Sequence, residues 1–321
     1  LPSGSRAAGA GSIHVRPRPQ GRPRAPSCSG DGGMDLFLQL FFNGLTNGSY
    51  YALLGVGFGL IFATTKIVHF AYGPIFACAA YGAWWATTLG VPIPVALVVA
   101  VVVAAALGVA SFLLVYRPIQ KRGSPGLVPL IASLGLFILL ENLLGIVFGA
   151  GNKVIADLSY EIFFLGPVFF TSIHLWQIAS LFILGGALFL FLRRTRFGKA
   201  IVAMTDNREM AEIVGIDTVR LAVVVFVIGS AISAVPAVLV LMKDGASTHM
   251  GFIAVFMAFV SVVVGGIGSI RGAVLGGFAL GMVESLGLWR IPTEWQSSIA
   301  FAVLFLILVA RPQGLFGSSR L

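Results

Sequence analysis

Two carboxylates stand inside apolar runs, Glu141 beside Asn142 and Glu284 beside Ser285, and four histidines are scattered at His14, His69, His174 and His249. These are the residue types that relay protons or hold metals. A carboxylate at the centre of a membrane helix costs about 2.5–3.5 kcal/mol on insertion scales, so each is a functional suspect. Glu141 is expected to face the bundle or a water-filled path. Glu284, six residues before Arg290, is expected near an interface. Two isolated carboxylates form no proton-relay chain, and polar packing within a bundle accounts for them as well. The histidines have no second ligand at helical spacing, which argues against a metal site. With only Cys28 and Cys78, neither a disulfide framework nor a cysteine metal site is plausible. No nucleophile elbow, paired-carboxylate cleft or zincin motif occurs, so the pattern is not that of an enzyme. There is also no G-x-x-x-x-G-K-[ST] loop: Lys199 follows Gly198 but lacks both the Ser/Thr and the earlier glycine. The chain is therefore expected to bind no cofactor and to draw its energy from a partner or an ion gradient.

The elements that must position these residues are membrane helices. Hydrophobic residues make up 58% of the chain and charged residues 10%, against about a quarter charged in soluble domains. Apolar runs long enough to cross a hydrocarbon layer of roughly 30 Å recur. The fold class is an all-α, polytopic transmembrane bundle of about eight or nine segments, expected near 36–62, 69–89, 92–116, 127–149, 172–192, 220–242, 252–268, 271–289 and 295–310. The first is interrupted by "NGLTNGS" and reads as a helix preceded by a shorter or re-entrant piece. The segment at 252–268 is short and Gly-ended, with a re-entrant alternative. Gly268, Gly272 and Gly276 are spaced by four, as are Gly277 with Gly281 and Gly55 with Gly59. That spacing stacks small residues on one helix face for close packing.

Charge then orients the bundle. The net charge is +9, but residues 1–33 hold five arginines against Asp31, leaving 16 basic and 11 acidic residues beyond them. Rich in Pro, Gly, Ser and Arg, residues 1–33 read as a disordered extension translated from upstream of a natural start at Met34, with a functional basic tail as the alternative. With nine crossings, thirteen basic residues fall on one side and three (Lys153, Lys243, Arg290) on the other. By the positive-inside rule the first side is cytoplasmic and includes the C-terminus. A basic excess of this kind reports orientation, not nucleic acid.

Ten of the thirty-three charged residues crowd into "RRTRFGKAIVAMTDNREMAEIVGIDTVR" (193–220), a cytoplasmic loop in this arrangement. Asp206 followed by Glu209 resembles a capping box, Gly215 is placed to close the helix that follows, and "FGKAIVAM" reads as a second short helix. The loop is either an interfacial anchor for the flanking helices or a docking element for a cytoplasmic partner. Plain connections are shorter, normally two to eight residues.

Glu209-Met210-Ala211 followed by Gly215 resembles the E-A-A-x-x-x-G signature of permease subunits in ATP-driven importers, with Met210 in place of an alanine. Longer stretches, "GLTNGSYYALLGVGFGLIFATTKIVHFAYGPIF" (44–76), "SPGLVPLIASLGLFILLENLLGIVFG" (124–149), "TRFGKAIVAMTDNREMAEIVGID" (195–217), "VVGGIGSIRGAVLGGFALGMVESL" (263–286) and "RPQGLFG" (311–317), resemble the branched-chain amino acid permease family. The likeness spans 34–317 and is to the smaller of that system's two permeases. It implies a transmembrane permease domain over 34–321 in a bacterial inner membrane, surrounded by lipid. It also implies a related, larger second permease, two cytoplasmic ATPase subunits and an extracytoplasmic solute-binding protein. Glu209, Met210, Ala211 and Gly215 would couple the chain to the ATPases through the loop at about 193–219.

A branched-chain or hydrophobic amino acid would need an apolar surface and polar groups for its zwitterion, which backbone amides at a broken helix supply. Asn43, Thr46, Asn47 and Ser49 in "NGLTNGSYY" are the first candidates for the pathway, then His69 and Tyr72 in "VHFAYGP", with Glu141 as a polar group within a span. Both stretches read equally as a helix start and a tight turn. Family members commonly carry N-F-A-H-G where this chain has His69-Phe70-Ala71-Tyr72-Gly73, which leaves substrate preference open; the chain resembles permeases for urea or short amides nearly as well. An ion-coupled secondary transporter is the reading from another class.

Overall fold

The computed structural model describes residues 32–123, 126–155, 161–166, 168–266, 268–311 and 313–316. Every expected span holds a helix: α1 Gly32–Thr65, α2 Tyr72–Thr88, α3 Ile93–Ala110, α5 Leu127–Phe148, α6 Ser172–Arg194, α9 Thr218–Asp244, α10 Met250–Gly265, α11 Ile270–Gly287 and α12 Gln296–Ala310. A π-helical turn, Ser111–Tyr116, joins α3 to the short α4, Arg117–Lys121. Seven of the described helical runs are long and apolar enough to cross a membrane. The other two, α2 and α10, have 17 and 16 residues. At 1.5 Å per residue α10 reaches only about 24 Å, and most of its residues are buried. It is a short helix enclosed by its neighbours.

Two expectations need correction. Residues 1–31 of the expected extension lie outside the described residues, but Gly32 and Gly33 already belong to α1. The break at "NGLTNGS" does not occur, since α1 runs 34 residues without interruption. Thr46 Oγ1 and Ser49 Oγ donate to the carbonyls of Phe42 and Leu45, one turn back, so their polarity is satisfied within the helix. Gly44 and Gly48 face α11, where added Cβ atoms would meet the backbone of Met282 and Phe278 at 3.2 and 3.0 Å. Residues that resemble breakers are contact residues here. In the stretch left between the expected spans 127–149 and 172–192, β1 (Ile162–Leu165) and β2 (Val168–Thr171) form an antiparallel hairpin between α5 and α6, with Leu165 opposite Val168.

The bundle is arranged around α1, which is buried over most of its length, whereas α12 buries only Ala300. Small residues set the spacing in the centre. Gly277 and Gly281 on α11 abut Ala52 and Gly48 on α1, Gly272 and Gly276 abut Gly265 on α10, and Gly55 abuts Ser261. No side chain fits at these contacts, as four-residue spacing implies. Gly268 departs from the expected stripe: its φ is +93°, nothing lies near it, and it serves the turn between α10 and α11.

Candidate functional site

Two adjoining cavities open among α1, α6, α9, α11 and α12, near the end of α1 that meets the hairpin. The outer one, about 310 Å³, is walled by Gln39, Asn43, Thr46 and Asn47 of α1, with His174, Lys243 and Ser285 facing them. On α1 the spacing 39, 43, 46 and 47 is one helical face. Gln39 bridges to the hairpin: its Oε1 accepts from the Phe169 amide at 3.0 Å and its Nε2 donates to the Phe169 carbonyl and to Asn43 Oδ1. Asn47 Nδ2 reaches Ser285 Oγ at 3.5 Å. The inner cavity, about 410 Å³, shares Asn47, Lys243 and Gln296 with the first. It adds Gln177, Asp244 and Ser247 as polar groups, Tyr50 and Tyr51 as hydroxyl-bearing rings, and Phe76, Val240, Met250 and Ile253 as apolar ones. Lys153, whose backbone pairs with Ala246, lies at this same end. Two of the three basic residues assigned to the outer face therefore cluster here.

Of the expected pathway residues, Asn43, Thr46 and Asn47 line these cavities. Ser49, His69 and Tyr72 do not, being fully buried in the core. His69 Nδ1 pairs with the Tyr116 hydroxyl at 2.8 Å, and its ring packs against Tyr72 and Phe226. Tyr72 donates to the Leu54 carbonyl at 3.2 Å. The tight-turn reading of "VHFAYGP" fits residues 70–71, whose amides donate to Ser133 Oγ. Glu141 lies apart from both cavities, against His249 Nδ1 at 2.5 Å. Glu284 is 1% exposed, enclosed by the bundle beside Ser285 of the outer cavity. Gln39, His174, Gln177, Lys243, Asp244 and Gln296 were not among the expected pathway residues. The adjacent charges Lys243-Asp244 at a helix end were the one local signal.

At the opposite end, residues 193–219 fold into α7 (Arg196–Asp206) and α8 (Arg208–Ile213). Thr195 caps α7 by accepting from the Gly198 amide. A side chain at Gly198 would collide with the Phe191 carbonyl, which fixes how tightly α7 turns off α6. The expected Asp206–Glu209 box is not the one used. Asp206 ends α7, and Asn207 caps α8 through Oδ1 to the Met210 amide, because its extended backbone lets the side chain reach forward. Gly215 does close α8: its φ is +86°, with Gly215 N bonded to Glu212 O and Ile216 N to Ala211 O. This pair of bonds is a Schellman motif. Glu212 accepts from Thr218 Oγ1 at 2.8 Å and pairs with Arg208 at 3.2 Å. These contacts, Thr218 first, hold its carboxyl below the usual range. Ala211 is buried, whereas Met210, Ile213 and Val214 are 56, 77 and 76% exposed. Glu209 is exposed beside them. The loop therefore presents a capped, apolar knob on a charged base.

The family described as "Branched-chain amino acid transport system / permease component" matches residues 40–308. The chain is 34% identical over 298 residues to the high-affinity branched-chain amino acid transport system permease protein BraD of Pseudomonas aeruginosa, covering 88% of this chain and 96% of that one. It is 33% identical, with the same coverage, to the corresponding permease protein LivH of Escherichia coli K12. Among solved structures, PsaBC from Streptococcus pneumoniae in complex with Fab matches with a TM-score of 0.52 and 13% identity, over 89% of this chain and 97% of that chain. The last likeness is one of fold.

Proposed function

Since the chain belongs to the branched-chain amino acid transport permease family and is a multi-pass membrane protein, we propose that it forms the translocation pathway of an ATP-driven importer for branched-chain or other hydrophobic amino acids, in a bacterial inner membrane. Solute delivered by an extracytoplasmic binding protein enters at the polar cavities, and a second, related permease covers the weakly buried faces of the bundle. Of two cytoplasmic ATPase subunits, one docks on the α7–α8 loop. Closure of the ATPase pair on ATP shifts the loop, and the rigid helices α6 and α9 carry that shift to the pathway. The observation that carries this reading is the apolar knob of Met210, Ile213 and Val214, left exposed by a loop that is otherwise capped and folded back.

The test is reconstitution with both permeases, the ATPases and the binding protein in proteoliposomes. ATP-dependent leucine uptake is expected, and Glu209 or Gly215 substitutions should uncouple hydrolysis from uptake while leaving insertion intact. Uptake of urea in place of leucine would refute the substrate. Unaided uptake by the purified chain without ATP would refute the importer.

A further inference from the structure

We propose that the inner cavity is a station for an α-amino acid zwitterion, in which Lys243 holds the carboxylate and Asp244 the ammonium group. The proposal rests on the importer reading and adds to it the groups that recognise the solute. Lys243 and Asp244 both line the cavity, and their charged atoms lie 4.0 Å apart. They form a long ion pair that is beyond hydrogen-bonding distance, so each still has hydrogen-bonding capacity to offer a ligand. A zwitterion carries its two opposite charges on one carbon, and this pair matches them in sign and proximity.

Gln177 strengthens the assignment. It lines the same wall, is 5% exposed, and its Oε1 has no partner among the described residues. A buried carbonyl oxygen left unpaired is costly, and an ammonium group satisfies it. The remaining wall suits a branched side chain: Phe76, Val240, Met250 and Ile253 are apolar. The volume of about 410 Å³ falls within the roughly 300–1,000 Å³ of small-ligand sites. A neutral amide such as urea has neither separated charge nor an apolar tail to offer this site.

The test uses the permeases and ATPases assembled in lipid nanodiscs without the solute-binding protein, titrated with radiolabelled leucine. Isoleucine should displace it, whereas leucinamide (no carboxylate), isocaproate (no ammonium) and urea should compete poorly. Lys243→Gln and Asp244→Asn should each weaken leucine binding about ten- to a hundredfold, the loss of one charge-assisted hydrogen bond. Lys243→Arg should retain binding within a few-fold, which separates lost charge from lost folding. Absence of binding to the wild-type assembly, undiminished binding in both neutral variants, or equal competition by isocaproate or urea would overturn the station. If ATP-driven leucine uptake persists alongside such a result, the importer reading stands and only the station falls. If the complete wild-type system takes up no leucine, both fall.

Discussion

Replacing Ile213 by alanine tests the docking loop without touching the fold. Ile213 is 77% exposed and follows Ala211, which packs inward. The substitution removes three carbons, each worth about 0.8 kcal/mol when buried. Scaled by the exposure that a partner would cover, the loss is about 2 kcal/mol, or roughly thirtyfold in affinity. The assay titrates a labelled ATPase subunit against the permease in nanodiscs. The thermal midpoint of the isolated permease is followed in parallel, and should stay within the ±0.5 kcal/mol typical of surface changes. Ile213→Asp should weaken assembly further, because a charge would be taken into the covered surface. An affinity unchanged within twofold in both variants would refute the reasoning. A clear fall in the permease's own stability would also refute it, since the side chain would then be packed inside the protein.

Other predictions follow from the packing and the loop. Gly281→Val should push α11 off Gly48 of α1 and cost about 1–3 kcal/mol or more, read as a lower thermal midpoint and yield. Gly186→Val, where nothing lies within 4 Å, should be tolerated. Tyr116→Phe removes the bonding partner of the buried His69 Nδ1, and thermal unfolding should show a loss of about 1–3 kcal/mol. Glu212 should titrate below ordinary glutamates in a carboxyl NMR experiment, because Thr218 and Arg208 favour its charged form. Its depressed folded-state value means that its contribution to the loop is complete above the ordinary carboxylate range and is lost as pH falls through the depressed value. A midpoint at or above the ordinary value would contradict the geometry.

Local pattern made the spans, the small-residue stripes on α11, the short helix α7 and the closing role of Gly215 legible in advance. Each depends on neighbours within a turn or two of the chain: apolar length, four-residue spacing, or a backbone angle that favours glycine. The same local reading failed where the deciding neighbour was remote. Gly44 and Gly48 look like a break until α11 is set against them, and two residues chosen as pathway candidates, His69 and Tyr72, turn out to be sealed in the core by Tyr116, Phe226 and Leu54. The polar cavities are the sharpest case. Asn47, Gln177, Lys243 and Gln296 come from α1, α6, α9 and α12, and no spacing along the chain relates them. Sequence alone determined that the chain is a membrane-spanning helical bundle, because hydropathy and periodicity are properties of each segment by itself. Only the tertiary structure decided which polar groups share a space, because that depends on how close the glycine contacts let the helices come.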